Sequence, residues 1–129
     1  MLIDTQVLLW HVMDPERMTK RAADAVAQGH LIYSHVSVWE IAIKCGSGKL
    51  ELFFDQRRVS TREFITTVVA ELNLVPLHLE FDDLTAVENL PRHHHDPFDH
   101  LLIVQARRRG LPILSSDQTF DKYGIKRVW

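Results

Sequence analysis

The chain has 129 residues, 46% hydrophobic and 25% charged, a composition that excludes disorder and predicts one compact domain over residues 1–129. A lone cysteine, Cys45, excludes an internal disulfide. No apolar run approaches the ~20 residues of a membrane span, so a soluble, cytoplasmic protein without a membrane partner is expected. The formal net charge of −2 opposes a nucleic-acid partner only if charge is spread evenly. Acids gathered in one pocket would leave the remaining surface basic.

A short strand, Leu2-Ile3, opens the chain and passes at Asp4-Thr5 into the apolar stretch Val7 to Trp10, which reads as a buried helix. Pro15 ends that helix or begins the next turn. Thr19 to Gln28 has a helix cap in Thr19 and a stop in Gly29. Leu31 to Ser34 is the second strand. Ser37-Val38-Trp39-Glu40 has capping-box spacing, which predicts a helix start there, and Gly46-Ser47-Gly48 breaks it. Ser60 to Glu63 repeats the box before the amphipathic run from Phe64 to Leu72, with Arg57 to Ser60 expected to be flexible.

Leu74 to Leu79 is a strand weakened by Pro76, and Asp82 to Leu90 is helical. Pro91 to His95 is a loop. Asp96-Pro97 supplies a cap and a first-turn proline for a helix stopped by Gly110. Ile113-Leu114 is a strand, Asp117 to Tyr123 a loop or short helix, and Arg127 to Trp129 a last strand. Strands alternating with helices imply an α/β fold with a mostly parallel sheet.

Four carboxylates stand where apolar runs end or helices begin: Asp4, Glu40, Asp99 and Asp117. In a parallel sheet the carboxyl ends of the strands share one edge, so such acids converge. Their mutual repulsion is best offset by a divalent cation, and oxygen-only ligands favour Mg²⁺ or Mn²⁺. Each acid also has a purely structural alternative. Asp4 or Thr5 can cap a helix, Glu40 can complete a capping box, and Asp117 can serve a turn. Asp96 is the natural N-cap of its helix, three residues before Asp99, and is expected to support the site rather than bind the ion.

Basic clusters that could face a phosphate backbone are Lys44 with Lys49, Arg57-Arg58 with Arg62, Arg107 to Arg109, and Lys126-Arg127. Within His93-His94-His95, three adjacent imidazoles cannot all reach one ion, and zinc-ligand spacing is absent. One or two of them could touch phosphate.

The segments Leu2 to Trp10, Ser37 to Lys44 with Gly48 to Leu50, His95 to Ile103, and Ser116-Asp117 with Phe120 and Tyr123-Gly124 together resemble PIN-domain proteins, in the branch of the VapC toxins of bacterial toxin–antitoxin pairs. The resemblance covers nearly the whole chain. It implies a three-layer α/β/α fold, a Mg²⁺- or Mn²⁺-dependent endoribonuclease, a homodimer, and neutralisation by a cognate antitoxin. By position it implies Asp4, Glu40, Asp99 and Asp117 as the catalytic centre, with Asp4, Asp99 and Asp117 on the metal. Thr5, Asp96 and Ser115 would support those acids, and His95, His100, Lys44 and Lys49 are candidate RNA contacts. Gln6 stands where the family commonly has histidine, and His100 where it commonly has arginine. Two other functions compete with a nuclease. A phosphotransfer enzyme using Asp4 as nucleophile usually has a second aspartate where Gln6 stands, and an inactive RNA- or protein-binding module would not need the acids intact.

Overall fold

A computed structural model describes residues 1–129. The chain forms β1 (Leu2–Ile3), α1 (Thr5–Met13), a 3-10 turn at Pro15–Arg17, α2 (Lys20–Gln28), β2 (Ile32–Ser34) and α3 (His35–Gly46). A hairpin of β3 (Leu52–Phe54) and β4 (Arg57–Val59) follows, then α4 (Thr61–Glu71), β5 (Val75–Leu77) and α5 (Phe81–Ala86). The last part holds α6 (Pro97–Arg109), β6 (Ile113–Leu114), a 3-10 helix at Gln118–Tyr123 and β7 (Arg127–Val128).

Five strands pair in the order β5-β2-β1-β6-β7, every pair parallel. Side chains alternate across a strand, and two apolar layers result. Ile3, Leu31 and Leu114 face the layer of α1, α2, α4 and the hairpin, where Leu8, Val26, Phe64 and Val68 pack. Leu2 and Ile113 face the opposite layer, where Leu102, Ile103 and Ala106 of α6 meet Phe120 and Tyr123. The fold is a three-layer α/β/α sandwich with the parallel sheet that the alternating elements predict and the layering that the resemblance implies.

Helix α3 departs from its expected start. Its N-cap is Ser34, whose Oγ accepts from the Val36 N–H at 2.9 Å, so the helix begins three residues before the predicted Ser37. Ser37 is fully buried instead, and Thr5 Oγ1 donates to its hydroxyl at 2.9 Å. Starting directly off β2, α3 lies across the sheet edge: Val36 packs into one apolar layer and Ile41 into the other. The expected flexible stretch after Arg57 is strand β4, paired to β3 and tied by an ion pair from Arg57 to Glu63. Pro76 is accommodated within β5, whose only neighbour is β2, because an edge strand needs ladder bonds on one side only.

At its far end, α6 is anchored by charge. Asp83 of α5 is fully buried and accepts bonds from both Arg108 and Arg109, the latter at 2.9 and 3.1 Å. Glu80 pairs with both arginines, and Asp82 pairs with Arg108. Burial alone would raise the Asp83 carboxyl, but the arginines and the Glu80 N–H outweigh it and hold it at about 2. A depressed carboxylate stabilises the fold above its unfolded value of 3.8 and loses that contribution as pH falls towards 2. Asp83→Asn should therefore cost about 2 kcal/mol in urea unfolding at pH 7, and its gap from the parent chain should close as both are titrated to pH 2. An equal gap at both pH values would assign the loss to packing.

Candidate functional site

The carboxyl edge of the sheet has its switch point at β1 and β6. After β1 the chain turns into α1 on one face, and after β6 it turns into the 3-10 helix on the other. A crevice opens where neighbouring strands send their connections to opposite sides. Asp4 and Asp117 stand at its two lips.

Asp4 is the N-cap of α1: its Oδ1 accepts from the Gln6 N–H at 3.2 Å. Its Oδ2 accepts from Ser115 Oγ at 2.5 Å. Ser115 is fully buried, and its Oγ also accepts from the Asp117 N–H at 3.0 Å, so one hydroxyl spans both lips. Asp117 in turn caps the 3-10 helix, its Oδ1 accepting from the Thr119 N–H at 2.7 Å. Asp4 and Asp117 thus each use one oxygen as a cap and keep acceptor capacity at the crevice.

Glu40 lies in the second turn of α3, buried, and makes an ion pair with Lys44 one turn on. It completes no capping box. Asp96 is the N-cap of α6, its Oδ1 accepting from Phe98 at 2.8 Å and from Asp99 at 3.3 Å. Asp99 sits in the first turn, and its carboxylate makes no hydrogen bond; His94 Nε2 stands 3.5 Å from its Oδ2. Trp39 and Phe98 are the sequence neighbours of Glu40 and Asp99. Their rings meet edge to face at 5.0 Å and tie α3 to α6.

The acids feel one another. Burial first, and then the charges of Glu40 and Asp117, push Asp4 up to about 6 despite its two hydrogen bonds. Asp99 is pushed up to about 8 by burial and by the charges of Asp4, Asp96, Glu40 and Asp117. Lys44 is the counterweight: burial works against its charge, yet Glu40, Asp96 and Asp99 together hold its ammonium above the ordinary range. No three His, Cys, Asp or Glu side chains are drawn together as tightly as the shell of an ion. The acids are close enough to repel and are not closed on each other. Oxygen donors short of positive charge fit a hard divalent cation.

Lys44 and Lys49 line one groove of about 440 Å³ with Gln6, Trp10 and Arg17, beside the crevice. His95 is exposed, while the His100 ring turns back, its Nε2 3.0 Å from the His94 carbonyl oxygen. Most of the suggested basic clusters are internally paired: Arg57 with Glu63, Arg58 with Glu51, Arg108 and Arg109 with Asp83, and Arg127 with Asp121. Sequence reasoning missed Ser37 as a buried link to Thr5, and it missed Tyr123, whose hydroxyl holds His93 and His94. Only the spacing of Tyr123 after Asp117 hinted at the latter.

A carboxyl whose folded value is raised binds its proton more tightly in the native state, so stability falls as pH rises from the unfolded value of 3.8 through the folded one. In chelator, the chain should lose stability from about pH 4 to about pH 8. Asp99→Asn removes the larger part of that slope. The variant should exceed the parent by about 1–3 kcal/mol at pH 8 and match it near pH 4, read by urea unfolding. A parent chain equally stable across that range would mean the carboxylates do not repel.

A profile of the PIN domain matches residues 1–126. No curated protein matches the sequence. Among solved structures the chain is similar to VapBC2 from Rickettsia felis bound to a DNA fragment from their promoter, with TM-score 0.70, 6% identity, and coverage of 99% of this chain and 98% of that one. It is also similar to DNA-bound VapBC from Salmonella typhimurium, with TM-score 0.67, 13% identity, and coverage of 98% and 94%. FitAB bound to an IR36 DNA fragment gives TM-score 0.68 and 14% identity over 98% and 92%. At such identities these likenesses speak to the fold, while the profile covers nearly the whole sequence: the chain belongs to the PIN domain family.

Proposed function

We propose that this protein is a Mg²⁺- or Mn²⁺-dependent endoribonuclease acting as the toxin of a toxin–antitoxin pair. The observation that carries the reading is the charge imbalance at the sheet edge: Asp4, Glu40, Asp96, Asp99 and Asp117 share a neighbourhood, and the one lysine held charged there, Lys44, answers to Glu40, Asp96 and Asp99. Asp4, Asp99 and Asp117 would hold the ion. When bound, it neutralises charge developing on the phosphate oxygens and acidifies the attacking water.

The chain's own residues do the rest. Ser115 fixes Asp4 Oδ2 and the Asp117 backbone together, so the two lips keep their spacing as substrate enters. Lys44 holds Glu40 through Oε1 and leaves Oε2 to take the proton released by the attacking water. Thr5 and Ser37 lock α1 to α3 behind these acids, and Asp96 sets the first turn of α6 from which Asp99 projects. Lys49, which makes no ion pair, stands in the groove with Lys44 and offers a charge to an approaching phosphate, while exposed His95 offers a ring nitrogen beside α6. The His100 imidazole is tied to the loop through its Nε2.

An uncompensated negative crevice also attracts a basic peptide, which is how a cognate antitoxin would silence it, arginine being the best match to carboxylates. The similar structures, VapBC and FitAB bound to DNA, support such a partner. Apolar Trp39 and Ile43, exposed one turn apart on α3, are available surface for a homodimer.

Attack by water leaves a 5′-phosphate and a 3′-hydroxyl. The purified chain should therefore cut structured RNA to such ends in Mn²⁺ or Mg²⁺ and lose activity in EDTA. Asp99→Asn should lower the rate at least about 100-fold without unfolding, whereas Asp96→Asn, an equally good cap, should retain most activity. Cleavage that persists in EDTA, or that leaves 2′,3′-cyclic ends, would overturn the mechanism. Tight RNA binding without cleavage would identify a binding module instead.

A further inference from the structure

Directly behind Asp99, the loop before α6 folds His94 inward. Its side chain is 17% exposed, and its ring stands edge-on to both Tyr123, at 5.5 Å, and His100, at 4.6 Å. His100 Nε2 meets the His94 carbonyl oxygen and pins the backbone as well. An imidazole clamped on this many sides has one orientation. Its Nδ1 lies 2.8 Å from the Tyr123 hydroxyl, and its Nε2 is buried without a hydrogen-bond partner, 3.5 Å from Asp99 Oδ2.

The hydrogen-bond partners favour one of the two neutral tautomers. Tyr123 Oη already accepts from the His93 N–H at 3.2 Å, so its own proton needs an acceptor. His94 Nδ1 is the acceptor within reach. A ring that accepts at Nδ1 carries its hydrogen on Nε2 when neutral, and that N–H points at Asp99. At 3.5 Å the pair is just beyond a hydrogen bond, a gap that a modest rotation of the carboxylate closes.

We propose that His94 is a positioning residue for Asp99: Tyr123 sets its tautomer, and the Nε2–H orients the carboxylate through Oδ2, leaving Oδ1 free to meet the ion. The inference rests on the metal reading above and adds a three-residue relay, Tyr123 to His94 to Asp99, behind it. Carboxylates that hold metals are commonly held in turn by such donors, and removing the donor typically weakens binding 10- to 100-fold. No other donor in the structure reaches the Asp99 side chain.

The test is Mn²⁺ affinity by titration calorimetry on the full chain without RNA, with melting temperature as the check on folding. His94→Phe keeps a ring in the packed site but has no N–H, whereas His94→Gln places an amide N–H near the position of Nε2. Tyr123→Phe keeps the ring and removes the tautomer lock. His94→Phe is expected to weaken Mn²⁺ about 10- to 100-fold, Tyr123→Phe less, and His94→Gln to recover most of the loss. In cleavage assays the Mn²⁺ concentration for half-maximal rate should rise in step while KM for RNA stays near the parent value. A His94→Phe chain that melts like the parent and binds Mn²⁺ equally well would leave the ring a packing element and overturn the relay. Failure of His94→Gln to recover any affinity would overturn the donor role. A parent chain that binds no Mn²⁺ at all would instead overturn the metal reading on which the relay rests.

Discussion

The bond from Ser115 Oγ to Asp4 Oδ2 joins the ends of the two central strands, and the rest of the crevice is arranged around it. A buried carboxylate is costly unless it is hydrogen-bonded, and β1 is too short to place Asp4 anywhere but at the rim of the core. Ser115 meets that need with a hydroxyl that also receives the Asp117 N–H. The same hydroxyl that makes Asp4 tolerable thus locates Asp117. Structure and site cannot be separated at this point, because the cap of α1, the register of β6 and the spacing of two acids all pass through one side chain.

Charge is managed differently at the two ends of α6. At its start, Asp99 faces other acids and carries no hydrogen bond, a local instability that function alone would justify. At its end, Asp83 is more deeply buried than Asp99 but sits between two guanidinium groups and is stabilised. One aspartate is therefore raised far above its ordinary range by burial and neighbouring acids, and the other is held below it by arginines that outweigh its burial. Asp83 belongs to the scaffold, and the acids at the sheet edge are the candidates for chemistry.

Much of this was legible from local signals that act within one turn. Asp96-Pro97 and Gly110 bound α6 as expected, with Gly110 at φ +61°, a conformation that costs glycine little. Thr19 with Gly29 bounds α2, and Ser60 caps α4. Expectations failed where a partner outside the local pattern took the side chain. Ser37 and Glu40 have capping-box spacing, yet Thr5 of α1 takes the serine and Lys44, one turn on in α3 itself, takes the glutamate. The arginines after Ala106 resemble a phosphate-binding patch until Asp83 is brought to them across about two dozen residues of sequence. Likewise, a run of three histidines carries no sign of which ring turns inward, because Tyr123, some thirty residues on, decides it.

The anchor of α6 on Asp83 also makes the helix a mechanical element. From Arg109 back to Asp99 is ten residues, about 15 Å of stiff rod at 1.5 Å per residue. A rod pivoting at one end amplifies displacement at the other, so a tilt of only about 4° at the arginines would swing Asp99 by about 1 Å. Shifts of that size are enough to cost about 100-fold in a reaction that depends on alignment. The geometry of the acids is thus set partly from the opposite end of the helix, by a buried ion pair rather than by anything at the crevice.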